Sequence, residues 1–132
     1  NITLLLNLPD STLPPFRCDR DRMEQLLTIL IDNALQYTPP EGEIRLRCCA
    51  RRGNICYEVA DTGPGIPDDE KTAVFERFYR SDKARSGKEH YGLGLSIASE
   101  IARLHKGGIR ITDTPAGGAT FTVSIPCGIF PK

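Results

Sequence analysis

The order of periodic segments predicts an α+β domain. An apolar stretch and a strongly helical segment come first. An alternating hairpin follows, then a second helical segment and a closing pair of alternating strands. The length of 132 residues suits one domain spanning 1–132 with a real core.

Ile2 to Leu8 is apolar and stops at Pro9-Asp10, as a strand would, and Phe16 to Cys18 after Pro14-Pro15 predicts a short second one. The first helix begins at Asp19 or Asp21, and Asp21 with Glu24 has capping-box spacing. Met23, Leu26, Leu27, Leu30 and Ala34 form its apolar stripe, and Thr38 before Pro39-Pro40 ends it near Tyr37. Asn33 sits off the centre of that stripe, with Ile29, Gln36 and Tyr37 one turn away. Such an Asn is either a satisfied structural amide or an oxygen ligand for a hard cation such as magnesium.

Glu43 to Arg51 alternates Ile44, Leu46 and Cys48 against Arg45, Arg47 and Cys49, a strand with one solvated basic face. Gly53-Asn54 is the expected turn into a second strand, where Ile55, Tyr57 and Val59 share a face. Asp61 continues that parity, so its carboxylate points to the apolar side, which is costly unless it finds donors. The following Thr62-Gly63-Pro64-Gly65-Ile66-Pro67 bends sharply and bares its backbone. An acceptor-only side chain beside bare backbone suits a flat ligand with an amino group and a ring nitrogen, such as adenine. Taken alone, a tight turn with a capping Asp explains the fragment as well.

A short polar helix is expected after Pro67, with Asp68, Asp69 and Glu70 in its first turn. Ser81 to His90 has one alanine and no larger aliphatic residue, so it is not core but either a disordered insertion or a mobile functional loop. Gly92-Leu93-Gly94-Leu95-Ser96 opens the next helix, buried through Leu93, Ile97, Ile101 and Leu104 and stopped by Gly107-Gly108. A glycine-bearing helix start offers free N–H groups to an anion. It is neither a Walker A loop nor a dinucleotide fingerprint, lacking Gly-Lys-Ser/Thr and a third glycine. Gly108 to Asp113 and Ala119 to Pro126 are the closing strands, joined by Pro115-Ala116-Gly117-Gly118.

Composition excludes several classes. Seventeen acids balance seventeen bases, so no global field points to nucleic acid or an anionic membrane. No apolar run approaches a membrane-spanning length, which argues against direct membrane contact by this piece. Five cysteines without a Cys-x-x-Cys pair fit neither a zinc site nor a disulfide framework, and a reducing cytosol is the simplest setting. The chain starts at Asn1, without a visible signal peptide, which suggests a piece of something longer. His105, near a helix C-terminus, suits an imidazolium in a structural role. His90 lies in the polar loop.

Five segments occur in a telling order: Asp32-Asn33-Ala34 on a helix, Asp61-x-Gly63-x-Gly65, Phe75-Glu76-Arg77-Phe78, Gly92-Leu93-Gly94-Leu95, and Gly117-Gly118-Ala119-Thr120-Phe121. Together they resemble the N, first glycine, F, second glycine and third glycine boxes of the catalytic ATP-binding domain of bacterial two-component sensor histidine kinases. The resemblance spans essentially the whole chain. It implies the Bergerat fold of the GHKL ATPases: a two-layer α/β sandwich, with a mixed sheet of about five strands against three helices and a flexible ATP lid, here Arg80 to Tyr91. It implies Mg-ATP as cofactor, transfer of the γ-phosphoryl group to a histidine on a dimerisation domain, and relay to a response regulator.

Role by role, the resemblance puts adenine recognition on Asp61, close backbone approach on Gly63 and Gly65, and base contact on Ile66. Asn33 would hold magnesium. Gln36 and Tyr37 would line the nucleotide site. Gly92, Leu93, Gly94 and Leu95 would present main-chain N–H groups to phosphates. Thr120 would support the adenine pocket, and Arg77 would act with Asn33 in catalysis. No acceptor histidine context occurs here, so the fragment would need a separate phosphoacceptor domain. It would then be a cytosolic part of a membrane-anchored sensor. The departures are Ile29 where the family carries a second Asn, Gln36 where a Lys is common, and Glu89-His90-Tyr91 where a further glycine-rich stretch is common. They leave room for a nucleotide-sensing module with weak or no transfer.

Overall fold

The computed structural model describes residues 2–7, 18–76, 94–115 and 117–126. Five strands form one sheet in the order β1-β2-β3-β5-β4. They are β1 (Thr3–Asn7), β2 (Glu43–Arg51), β3 (Asn54–Asp61), β4 (Gly108–Asp113) and β5 (Ala119–Pro126). The sheet is mixed, because β1 runs parallel to β2 while the other three pairings are antiparallel. A parallel pair needs a crossover, and α1 (Arg20–Tyr37) supplies it. The second helix, α2 (Gly94–Leu104), packs against α1 and carries the chain into β4. Two 3-10 turns, Asp68–Glu70 and Ala73–Phe75, stand where a short polar helix was expected after Pro67.

The helices cover one face of the sheet, giving the two-layer sandwich. Leu26 and Leu30 of α1, Leu95, Ala98 and Ile101 of α2, and Ile44, Val59, Phe121, Val123 and Ile125 of the sheet make one core. Arg45 and Arg47 are exposed on the opposite face, as the alternation of β2 requires. Leu104 is exposed as well, contrary to the stripe read from the sequence, and Ala98 and Ala102 take its share of the buried face. Small side chains there let α2 lie close to its neighbours.

The ends of the elements follow local chemistry. Asp19, rather than Asp21, caps α1, its carboxylate accepting from the Arg22 N–H at 3.2 Å. At the other end the Thr38 hydroxyl and N–H both donate to the Ala34 carbonyl, at 2.7 and 3.0 Å. The β2–β3 turn is Arg52-Gly53, with φ of 52° and 81°, one residue earlier than the sequence suggested. Two left-handed residues are what a tight hairpin needs. Helix α2 ends in a Schellman pattern: Lys106 takes φ of 65°, and the Gly107 N–H donates to the Ala102 carbonyl at 2.8 Å. A Cβ on Gly107 would lie 2.0 Å from the Ser124 carbonyl oxygen, so this glycine serves close approach to β5.

His105 ties the two helices together. Its Nδ1 donates to the Ile101 carbonyl at 2.9 Å, and its Nε2 accepts the Asp19 N–H at 2.9 Å. One ring nitrogen donates and the other accepts, so this is the neutral imidazole. The role is structural as expected, but the imidazolium is not the form the contacts select. The short strand expected at 16–18 falls mostly outside the described residues, and Cys18 itself is not in a strand.

Candidate nucleotide site

Strand β3 delivers Asp61 to the helix-covered face, and the carboxylate is buried at 4% exposure. Its Oδ1 accepts two backbone N–H groups, from Gly63 at 2.9 Å and from Ala119 at 3.2 Å. Its Oδ2 accepts from no donor among the described residues. Burial pushes the Asp61 carboxyl above its usual range, and the Gly63 and Ala119 N–H groups pull the other way. The acid is held by one oxygen, and among the described residues the other is left to accept from a ligand.

The backbone around it admits little else. A Cβ on Gly63 would sit 2.5 Å from the Tyr37 carbonyl oxygen. Gly118 has φ of 107°, and a Cβ there would lie 2.0 Å from the Asp61 carbonyl oxygen. Gly65, at φ of 81°, turns the ribbon over Gly118. Lys71 fixes the outgoing strand of that ribbon: its Nζ donates to the Ile66 carbonyl at 2.9 Å, pairs with Asp68, and bridges to Asp113 of β4 at 3.0 Å. Hydrogen bonding to Asp68 and Asp113 raises the Lys71 pKa, which keeps the tether charged.

Asn33, Tyr37, Asp61, Pro64, Gly65, Ile66, Ala119 and Phe121 surround one cleft with an accessible volume of ≈ 10 Å³, room for about one water. Phe121 is braced from below by Phe75, ring edge to face, at a centroid distance of 6.4 Å. Asn33 is buried, and its Nδ2 has no hydrogen-bond partner among the described residues, where an orphaned buried donor would cost about 1–3 kcal/mol.

Five of the residues singled out in the sequence thus meet in one place: Asn33, Tyr37, Asp61, Gly65 and Ile66, with Gly63 bonded to the acid. Gln36 does not line the cleft. Gly94 is the first residue of α2, and Leu95 is wholly buried in the core, so only its main chain faces any ligand at the helix start. Arg77, Gly92, Leu93, His90 and the 80–91 loop lie outside the described residues. Thr120 does not line that cleft. It pairs with Ala60, one residue off the parity of Asp61, and its hydroxyl meets the Thr114 hydroxyl at 3.0 Å. It lines a neighbouring hollow with Arg45, Glu58 and Asp61. The residue of β5 that touches the acid is Ala119, through its N–H, which no side-chain pattern announces; only Gly117-Gly118 signals the close approach.

Ile29 packs partly buried against the core, and a Cβ on Gly94 would lie 3.6 Å from its Cγ2. A hydrocarbon thus fills the space beneath the first turn of α2.

Residues 18–129 match the model of the Histidine kinase-, DNA gyrase B-, and HSP90-like ATPase family. The chain belongs to that family. Among curated relatives, the Adaptive-response sensory kinase SasA of Nostoc sp. is 40% identical over 115 residues, covering 86% of this chain and 28% of SasA. The Sensor protein SrrB of Staphylococcus aureus is 42% identical over 109 residues, covering 82% of this chain and 19% of SrrB. The chain thus spans under a third of the relatives' length. Among solved structures, the nucleotide-free catalytic domain of histidine kinase ThkA superposes with a TM-score of 0.81 at 28% identity, covering 96% of this chain and 80% of that one. Full-length ShkA in complex with AMPPNP gives a TM-score of 0.81 at 29% identity, covering 96% of this chain and 26% of that one. The sandwich described above is the fold of histidine kinase catalytic domains, and this family member is an ATP-binding domain of that kind.

Proposed function

We propose that this domain binds Mg-ATP and transfers its γ-phosphoryl group to a histidine on the dimerisation domain of a two-component sensor kinase, for relay to a response regulator. One observation carries the reading: Asp61 keeps one oxygen on two backbone N–H groups while no described residue donates to the other, in a cleft that also holds Asn33, whose Nδ2 has no partner among the described residues.

In this reading Oδ2 of Asp61 accepts the adenine amino group, a charge-assisted bond worth about 1.5–3 kcal/mol. Ile66 and Gly65 would flank the base, which needs this cleft to open beyond the one-water space it encloses here, and Tyr37 would form the wall toward the sugar. The start of α2 at Gly94 and Leu95 presents main-chain N–H groups to the phosphates, and the family resemblance assigns the same role to Gly92 and Leu93. Arg77 stabilises charge on the phosphoryl group in flight. The acceptor imidazole forms the new P–N bond as the bond to the ADP oxygen breaks.

Magnesium fits the donor set. Among the described residues no cluster of acids, histidines and cysteines could cage a metal alone, and magnesium in such sites is held mostly by phosphates and water. Asn33 would contribute the one protein ligand through its amide oxygen, and the ion would neutralise phosphate charge.

ShkA was solved with AMPPNP, and ThkA in complex with the response regulator TrrA; both support extending nucleotide and regulator binding to this chain. We place the domain in the cytosol, as the kinase portion of a membrane-anchored sensor. No described helix is long and apolar enough to cross a membrane.

A second reading is a nucleotide-sensing module with weak transfer, favoured by Ile29, which offers neither a metal ligand nor a hold on water. The deciding experiment adds a cognate histidine-bearing helical domain with labelled ATP and magnesium. Phosphohistidine formation supports transfer. Tight nucleotide binding without label on the acceptor supports the sensing module instead.

A further inference from the structure

The hairpin of β2 and β3 places two free thiols opposite one another. Cys49 and Cys56 are direct partners in the antiparallel register, three pairs from the Arg52-Gly53 turn. Directly opposed residues share a face, and here it is the outer face of the sheet, away from the core and from Asp61. Their Cα atoms are separated by about 4.5–5.5 Å as in any such pair, inside the window of about 4.4–6.8 Å that a disulfide spans. Both residues are partly exposed, so a small oxidant reaches them. The row continues to Ser124, whose Oγ accepts from the Cys56 thiol at 3.9 Å. It ends at Gly108, which has no side chain to cover it.

The other cysteines of the described chain are placed differently. Cys48 follows the parity of Ile44 and Leu46, onto the helix side. Burial pushes its thiol pKa up, with Cys49 and Cys56 adding to the effect, which lowers its thiolate fraction. Cys18 lies ahead of α1 and pairs with no strand.

We propose that Cys49 and Cys56 are an oxidation site that forms a reversible cross-strand disulfide when the domain meets a peroxide. One thiolate attacks hydrogen peroxide to give a sulfenic acid, with one oxygen leaving as water. The second thiol displaces the sulfenic oxygen, also as water, and the S–S bond forms. The sum is two thiols and one peroxide to one disulfide and two waters. A dithiol such as dithiothreitol reverses it by exchange through a mixed disulfide. A disulfide made and broken in this way is compatible with a reducing compartment.

The test treats the reduced full chain with hydrogen peroxide, caps residual thiols, and digests it with trypsin without reductant. The expected product links the peptide Cys48–Arg51 to the peptide Gly53–Lys71, and dithiothreitol removes the link. It persists in Cys48→Ser and disappears in Cys49→Ser and in Cys56→Ser, each shown folded by circular dichroism. Loss of the link in Cys48→Ser, a link through Cys18, covalent dimers in its place, or higher oxidation without any link would each overturn the assignment.

Discussion

Asp61→Asn separates recognition from folding. Asparagine keeps Oδ1, so the bonds from Gly63 and Ala119 survive. The open oxygen becomes an NH₂, and a donor then faces the donor of the adenine amino group. The loss is one charge-assisted bond, about 1.5–3 kcal/mol, or about 10- to 150-fold in affinity for ATP. Stability moves the other way. Burial raises the folded-state pKa of Asp61, so the folded protein binds the proton more tightly than the unfolded chain does. The contribution of this carboxyl to stability is fully present below its unfolded pKa and is lost as pH rises through the folded value. At neutral pH the wild type carries a desolvated charge that Asn lacks. The unliganded variant is therefore at least as stable as wild type at pH 7, and the difference closes as pH falls through that range. Calorimetric titration with a non-hydrolysable ATP analogue, paired with urea denaturation from pH 4 to 7, measures both. Equal affinities, or a variant destabilised as much as it is weakened, would refute the reasoning.

Gly118→Ala combines a φ of 107° with a contact of 2.0 Å to the Asp61 carbonyl oxygen, and should cost at least about 3 kcal/mol in urea denaturation. His105→Ala removes the bonds to Asp19 and Ile101, and the same assay should read a loss of about 1–2 kcal/mol. Ile29→Asn trades packing beneath Gly94 for a second amide. Nucleotide affinity should become more dependent on magnesium in a metal titration, while stability falls by about 1–3 kcal/mol.

The strand and helix pattern was legible because each surface has one wet and one dry side. Ile44, Val59 and Asp61 fall on the core side by counting twos, and Leu26 and Leu30 by counting turns. The failures lie where geometry between elements decides. Leu104 is apolar by composition but stands beyond the part of α2 that the sheet covers. The register of β5 on β3 puts Thr120 one residue off the parity of Asp61 and gives the acid the Ala119 N–H. Backbone donors carry no sequence signature. His105 has two partners 86 and four residues away, and only the folded chain shows that one of them is an N–H, which selects the neutral ring. Asn33 could be placed near the stripe from the sequence, but that its Nδ2 has no partner among the described residues required the structure.

The account depends on the open oxygen of Asp61 reading the 6-position of the purine. Titrating the wild-type chain with ATP and with ITP in magnesium measures this directly, because ITP replaces the amino donor with a carbonyl acceptor and leaves the triphosphate unchanged. The account predicts ITP weaker by about 10-fold or more, with a smaller gap in Asp61→Asn. Equal affinity of the wild type for the two nucleotides would contradict it.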